Sequence, residues 1–295
     1  MKKQNIAIIG QGEIGKAVHS LLKAKHKVSV ECWDVDVKAC PVKKPLGDVI
    51  PNADIVFLCI PSWAIRAAAK DICPHLRKSA IVVSVSKGID RSGNKTVDEL
   101  LREVLPSTQP FALLSGPMLA EEIMAGKLAA AVVASPLASV QKRLLALFEK
   151  TPLRLSSTRD VHGTALCGVL KNVYAIGFAA ASALGGGDNY RGYYMMLAHE
   201  EMGMVIKDLG GRPETAYTYA GLGDFVATAF SGYSKNNEYG TILAKEGRVM
   251  FESEGSVSIR PLKELLGKKM AKYCLLSRIA DIVMRKRAPK TILSV

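Results

Sequence analysis

No two of the six cysteines (Cys32, Cys40, Cys59, Cys73, Cys167 and Cys274) stand at C-x-x-C spacing, and none joins a histidine at metal-ligand spacing. A zinc module is therefore excluded, and no metal is expected. Several of these cysteines sit in apolar runs, where cysteine acts as a small hydrophobe; a reducing cytoplasm is the simple expectation. Aromatic residues make up only 6% of the chain and do not interleave with lysines in the manner of a base-stacking surface. The net charge of +13 is spread along the chain, with one dense patch at Arg285, Lys286, Arg287 and Lys290. It reads as a field for small anions, and no nucleic acid is expected. A signal peptide is not expected either: Lys2 and Lys3 precede an apolar run, Ile6–Ile9, that is too short. The longest apolar stretch, Thr164–Leu184, carries Lys171 and Asn172 near its middle. A lysine there would cost roughly 2.5–3.5 kcal/mol in a bilayer, so a buried helix is expected and no membrane span. Internal repeats and low-complexity tracts are missing too.

What the chain does have is alternation. Strand-like runs at Asn5–Ile9, Lys27–Cys32, Asp54–Ile60, Ala80–Val85, Phe111–Leu114, Ala129–Ala134 and Leu153–Leu155 are separated by helix-like stretches such as Glu13–Lys25 and Trp63–Cys73. Continuous apolar strands between helices predict an α/β fold, with a parallel sheet covered on both faces. After about residue 160 the pattern turns helical, punctuated by Gly185-Gly186-Gly187, Gly210-Gly211 and Pro213. The expected organisation is a Rossmann-like, doubly wound, mostly parallel domain over residues 1–157. An all-helical substrate and catalytic domain follows over 158–295, with the active site between them.

Gly10-Gln11-Gly12-Glu13-Ile14-Gly15 is a G-x-G-x-x-G run placed between a strand and a helix. That context predicts a dinucleotide site: Gly10 for the tight turn, Gly12 for close approach to pyrophosphate, Gly15 for helix–strand packing. Asp34 lies roughly twenty residues on, where an acid holds ribose hydroxyls and repels a 2′-phosphate. NAD is thus favoured over NADP, with Asp36 the competing acid and Lys38 and Lys43 the cations that could soften the choice. Lys87 follows the strand Ala80–Val85, at the end where parallel sheets bind ligands. Pro117 suits the first turn of a helix. Lys171 is an ammonium in an apolar helix, which is costly unless it faces a cleft or a counter-charge; it is a candidate proton donor. Asp224, after Gly221-Leu222-Gly223, is the candidate counter-charge. The polar run from Ser231 through Ser234, Lys235 and Asn236 to Asn237 is a cluster of hydroxyl, amide and cationic donors suited to a phosphate. None of the five histidines falls in these motifs.

Val56–Ser62, Ser86-Lys87-Gly88, Ser115-Gly116-Pro117, Leu170–Ile176, Gly221–Asp224 and Ser234-Lys235-Asn236 together resemble the NAD(P)-dependent glycerol-3-phosphate dehydrogenase family, in order and in rough spacing. The resemblance implies hydride transfer between NAD(P) and a small phosphorylated substrate, with roles in lipid biosynthesis and a homodimer as one expected assembly. It implies that Lys171 handles the proton, that Asp224 orients it, and that Lys87 touches cofactor and substrate. Gly116, Asn172, Asp224, Ser234, Lys235 and Asn236 match substrate positions; Glu13, Ile14, Ala120, Lys235 and Glu254 match cofactor positions. The chain departs from the family at Met118 (usually serine), at Lys235 (usually arginine) and at Met196-Leu197-Ala198 (usually T-R-G). The stretch between Asp34 and Asp54 is short, as though a strand were missing. A hydroxyacid or 6-phosphogluconate-type dehydrogenase and a non-catalytic dinucleotide-binding regulator are the alternatives.

Overall fold

The apolar runs of the first half become strands in the computed structural model, which describes residues 3–23, 27–40 and 44–294. Two compact units form: Met1–Asp90 with Lys95–Val161, and Arg91–Asn94 with His162–Val295.

The first unit holds strands β1 (Gln4–Ile9), β2 (Val28–Trp33), β3 (Ile55–Leu58), β4 (Ile81–Ser84), β5 (Ile89–Asp90), β6 (Lys95–Thr96), β7 (Phe111–Ser115), β8 (Ala129–Ala134) and β9 (Leu153–Thr158). Its helices are α1 (Glu13–Lys23), α2 (Leu46–Val49), α3 (Ile65–Ile72), α4 (Val97–Val104), α5 (Ala120–Met124) and α6 (Ala138–Phe148). The predicted end of α1 at Lys25 lies outside the described residues. Seven strands form one sheet in the order β2-β1-β3-β4-β7-β8-β9, and β5 and β6 make a separate ribbon. The chain leaves β1 outward to β2 and then returns to β3 on the other side of β1, so the glycine run after β1 sits where the winding reverses.

The sheet is parallel except at one junction. β7 and β8 pair antiparallel, so the sheet is mostly parallel, as expected. The 13 residues between them contain only the five-residue α5, and the chain folds back at Gly116-Pro117. There the Ala130 amide donates to the Pro117 carbonyl at 3.2 Å. Pro117 thus lies in a bend two residues before the helix N-cap, Leu119, and not in the first helical turn. β9 runs three residues beyond the expected Leu155, at the sheet edge, where a strand can end in polar residues: Ser156 and Ser157 are exposed and Thr158 is half-buried. Between Asp34 and Asp54 the described residues hold α2 and no strand, so β2 is left as the opposite edge.

One face of the sheet is packed by α1, α5 and α6. Ile6, Ile8, Phe57 and Val83 meet Val18, Leu22, Leu144 and Phe148 in a continuous apolar cluster. Each such side chain, removed from water, contributes about 1.5–3 kcal/mol.

The second unit is helical: α7 (Val161–Ala183), α8 (Asp188–Asp208), α9 (Asp224–Phe230), α10 (Lys235–Glu246), α11 (Glu254–Leu266) and α12 (Cys274–Val283). By length and hydropathy α7 could cross a membrane, but its apolar window is wholly buried inside the protein. It is the core helix of this unit, as the sequence predicts. A buried carboxylate pins α12 to α8: Glu201 accepts from the amides of Leu275 at 2.8 Å and Leu276 at 2.9 Å, at the first turn of α12.

Candidate active site

In the first unit the glycine run turns sharply, and its three glycines have different reasons. Gly10 has φ +97°, a left-handed conformation, and a Cβ there would collide with the carbonyl of Cys59. A Cβ on Gly15 would strike the carbonyl of Gly10. At Gly12, by contrast, a Cβ would meet nothing within 4 Å. The fold itself requires the outer two glycines, whereas the middle one keeps open space over the start of α1. Glu13 is exposed and Ile14 half-buried in that first turn. A helix start offers unpaired N–H groups and positive potential to an anion.

Asp34 follows β2 and reaches back to this loop. Its Oδ2 accepts from the Gln11 amide at 2.5 Å and its Oδ1 from the Asp36 amide at 2.8 Å. A carboxylate has about four acceptor positions, so two bonds hold it in place and leave capacity for hydroxyls. Asp36 is exposed and closes its own turn by accepting from the Lys38 amide at 2.9 Å. Lys43 lies outside the described residues. An open cradle at Gly12, a helix start and an oriented acid fit a dinucleotide.

Lys87 lies past the end of β4, and its ammonium donates to the Gly116 carbonyl at 3.1 Å. Gly116 is pressed onto β8: a Cβ would come within 2.6 Å of Ala131 Cα. Beside it the Ser115 hydroxyl is buried with no hydrogen-bond partner among the described residues. An unanswered hydroxyl costs about 1–3 kcal/mol, a cost that a polar ligand atom would relieve. Met118 and Ala120 both join the apolar cluster. The methionine that departs from the family is spent on packing, and any cofactor contact by Ala120 would use its backbone.

In the second unit Lys171 is 7% exposed in the middle of α7. Its ammonium donates to Thr228 Oγ1 at 2.7 Å and lies 3.4 Å from Asp224 Oδ1. Asp224 opens α9, where the helix dipole favours a carboxylate. Thr228 is one turn further on, so both side chains share a face. The wide turn Tyr219–Gly223 delivers α9 to this position.

Asn172, next to Lys171, belongs to a buried amide chain. Its Nδ2 donates to the Gly168 carbonyl at 3.1 Å, and its Oδ1 accepts from Asn236 Nδ2 at 2.9 Å. Asn236 Oδ1 in turn accepts from the Gly255 amide at 2.9 Å. A Cβ at Gly255 would stand 2.5 Å from the Asn172 carbonyl oxygen and 2.8 Å from Asn236 Oδ1. Glu254, half-buried, opens α11 immediately before this glycine.

The polar stretch from Ser234 onward opens a helix. Ser234 is the N-cap of α10, and its hydroxyl accepts from the Asn237 amide at 3.3 Å. Lys235 is exposed in the first turn. Met196-Leu197-Ala198 lies within α8, with Met196 exposed and Ala198 buried. Thr228, Gly255 and the Ser115 hydroxyl were not singled out from sequence. For Thr228 the signal was there: four residues from Asp224 puts it on the same helical face.

Residues 160–294 match the family description "NAD-dependent glycerol-3-phosphate dehydrogenase C-terminus", and residues 39–141 match the corresponding N-terminus. The glycine run lies outside the second match. The glycerol-3-phosphate dehydrogenase [NAD(P)+] of Agrobacterium fabrum is 35% identical over 272 residues, spanning 85% of this chain and 83% of that protein. One from Sphingopyxis alaskensis is 36% identical over 200 residues, 68% of this chain but 60% of the relative's own length. The crystal structure of glycerol-3-phosphate dehydrogenase from Coxiella burnetii superposes with a TM-score of 0.87 at 24% identity, covering 99% of this chain and 98% of that one.

Proposed function

The chain belongs to the NAD-dependent glycerol-3-phosphate dehydrogenase family, and from that premise we infer that it is an NAD(P)-dependent oxidoreductase interconverting sn-glycerol 3-phosphate and dihydroxyacetone phosphate. The observation that carries the reading is Lys171, an ammonium held on an apolar core helix by Thr228 and Asp224. Burying an ammonium is costly unless it is paired and hydrogen-bonded, and a charge so held in a polar cluster on a core helix is the arrangement a proton-transfer site uses.

A dinucleotide, when bound, would supply or accept the hydride. The chain's own residues manage the proton and the charge. In ketone reduction Lys171 gives a proton to the oxygen at C2; in alcohol oxidation it takes that proton back. Asp224 and Thr228 aim its ammonium, so the proton need not be positioned anew at each turnover. Asn172 and Asn236 offer amide groups beside it, while Lys235 supplies positive charge for a phosphate. Lys87 keeps the role of cofactor and substrate contact, and the buried Ser115 hydroxyl beside its Gly116 partner is a polar group still to be answered.

NAD is the favoured cofactor, since a 2′-phosphate would be repelled by Asp34. Equal or better kcat/KM with NADPH than with NADH would overturn that preference. A cytoplasmic location agrees with the free cysteines among the described residues, and a homodimer is proposed, which light scattering reads directly. The decisive assay follows NADH absorbance with dihydroxyacetone phosphate, with carboxylated ketones in parallel. Turnover of a carboxylated ketone alone would favour the hydroxyacid dehydrogenase reading. NADH binding without turnover of any ketone would favour the regulatory one.

A further inference from the structure

Three of the cysteines gather around the strand that delivers Asp34. Cys32 is on β2, two residues before Asp34, and its sulfur lies 3.6 Å from His19 Nδ1 on α1. Cys40 closes the turn that follows. Its thiol donates to the Cys32 carbonyl at 3.2 Å, and its amide and that of Ala39 donate to the Asp36 carbonyl at 3.2 and 3.1 Å. Standard backbone dimensions then put the Cys40 sulfur within about 6 Å of Cys32 Cα. Cys59 is near Cys32 but buried in the core cluster. Cys32 and Cys40 are each partly exposed, at the open edge of the sheet.

We propose that Cys32 and Cys40 are a reversible dithiol–disulfide modification site, whose closure disturbs the Asp34 turn and weakens dinucleotide binding. This rests on the reading of Asp34 as the ribose ligand. The oxidant is a hydroperoxide. The Cys40 thiolate attacks the peroxide, breaking O–O and forming a sulfenic acid with release of hydroxide. The Cys32 sulfur then attacks the Cys40 sulfur, forming S–S and expelling a second hydroxide. The two thiol protons complete the two waters: two thiols and one hydrogen peroxide give one disulfide and two waters. Burial pushes the Cys32 thiol up to about 11, with neighbouring Cys40 adding to the shift, so Cys32 suits the second step better than the first. His19 is placed to receive its proton.

Closure needs the sulfurs at about 2 Å and the two Cα atoms at about 4.4–6.8 Å. In the reduced protein the Cys40 sulfur is bonded to a carbonyl on the strand edge. Turning it towards the Cys32 sulfur draws in the segment from Trp33 to Ala39. That segment carries the two bonds on Asp34, to the Gln11 and Asp36 amides. Losing the alignment of one charged hydrogen bond weakens affinity about tenfold.

The experiment uses the whole protein, treated with graded hydrogen peroxide, alkylated and mapped by peptide mass spectrometry. NADH affinity is measured in parallel by fluorescence. The expected result is a Cys32–Cys40 link, about tenfold weaker NADH binding, and reversal by dithiothreitol. The Cys40→Ser variant keeps a hydroxyl donor for the Cys32 carbonyl, so it should bind NADH normally and resist peroxide. The proposal is overturned if peroxide leaves both thiols alkylatable, if Cys32 links to Cys59 instead, if the link forms with NADH affinity unchanged, or if Cys40→Ser stays equally sensitive. None of these readouts requires turnover. A chain inactive on dihydroxyacetone phosphate would sink the functional reading without touching this one.

Discussion

Replacing Lys171 by methionine tests the site at its centre. Methionine keeps most of the stem's volume on α7 and removes the charge, the proton and the bond to Thr228. A general acid or base contributes about 10²–10⁴ in rate, which is about 3–5.5 kcal/mol of barrier. The same substitution takes the ammonium from 3.4 Å beside an Asp224 side chain that is only 4% exposed. Breaking a buried pair from one side costs about 3–5 kcal/mol of stability. Two effects are therefore expected together: kcat falls at least a hundredfold, and the melting temperature drops. The double variant Lys171→Met/Asp224→Asn separates them, because it removes the stranded charge. It should recover much of the lost stability and none of the lost rate. NADH affinity, measured by fluorescence, should stay near that of the unsubstituted protein in both variants, since the glycine run and Asp34 belong to the other unit. The reasoning is refuted if Lys171→Met retains kcat within tenfold, or if the double variant regains activity along with stability.

The glycines should behave differently from one another. Gly10→Ala and Gly15→Ala force a Cβ against backbone carbonyls and should lower the melting temperature, whereas Gly12→Ala should leave melting unchanged and weaken NADH binding; a Gly12→Ala protein that binds NADH normally would disprove the pyrophosphate assignment. Lys235→Arg restores a planar fork in the exposed first turn of α10. It should lower KM for dihydroxyacetone phosphate roughly tenfold, worth about 1.4 kcal/mol, with a smaller change for a non-phosphorylated ketone; an unchanged or raised KM would show that Lys235 is no inferior phosphate clamp. Burial raises the Glu201 carboxyl above its ordinary value, despite the bonds from the Leu276 and Leu275 amides and the Tyr174 hydroxyl that act the other way. The folded protein therefore holds that proton more tightly than the unfolded chain. Its contribution to stability is fully present below the unfolded value of about 4.5 and is lost as pH rises through the folded value. The stability of Glu201→Gln relative to the unsubstituted protein should accordingly climb across that window, and a difference independent of pH would count against it.

What could be read from sequence was whatever announces itself locally. The glycine run is a turn requirement written in one stretch between a strand and a helix, and Lys171 stands out because nothing around it is charged. The ribbon Ile89–Asp90 with Lys95–Thr96 is too short to carry a hydrophobic period, although the Ser-Gly-Asn turn inside it, with Asn94 at φ +50°, is turn chemistry legible in the sequence. The antiparallel entry of β8 goes with a close tertiary approach of Gly116 to Ala131, and no periodicity in either segment records it. Gly255 makes the same point at the site. Its backbone needs no left-handed turn; it is glycine because the Asn172 carbonyl and the Asn236 side chain, from two other helices, pass over it. A Cβ there would push on the amide chain adjoining Lys171. A residue of this kind carries its reason in the partners and not in its own neighbourhood. Asn172, Asn236 and Gly255 were three separate letters 64 and 19 positions apart until the fold made them one chain of hydrogen bonds.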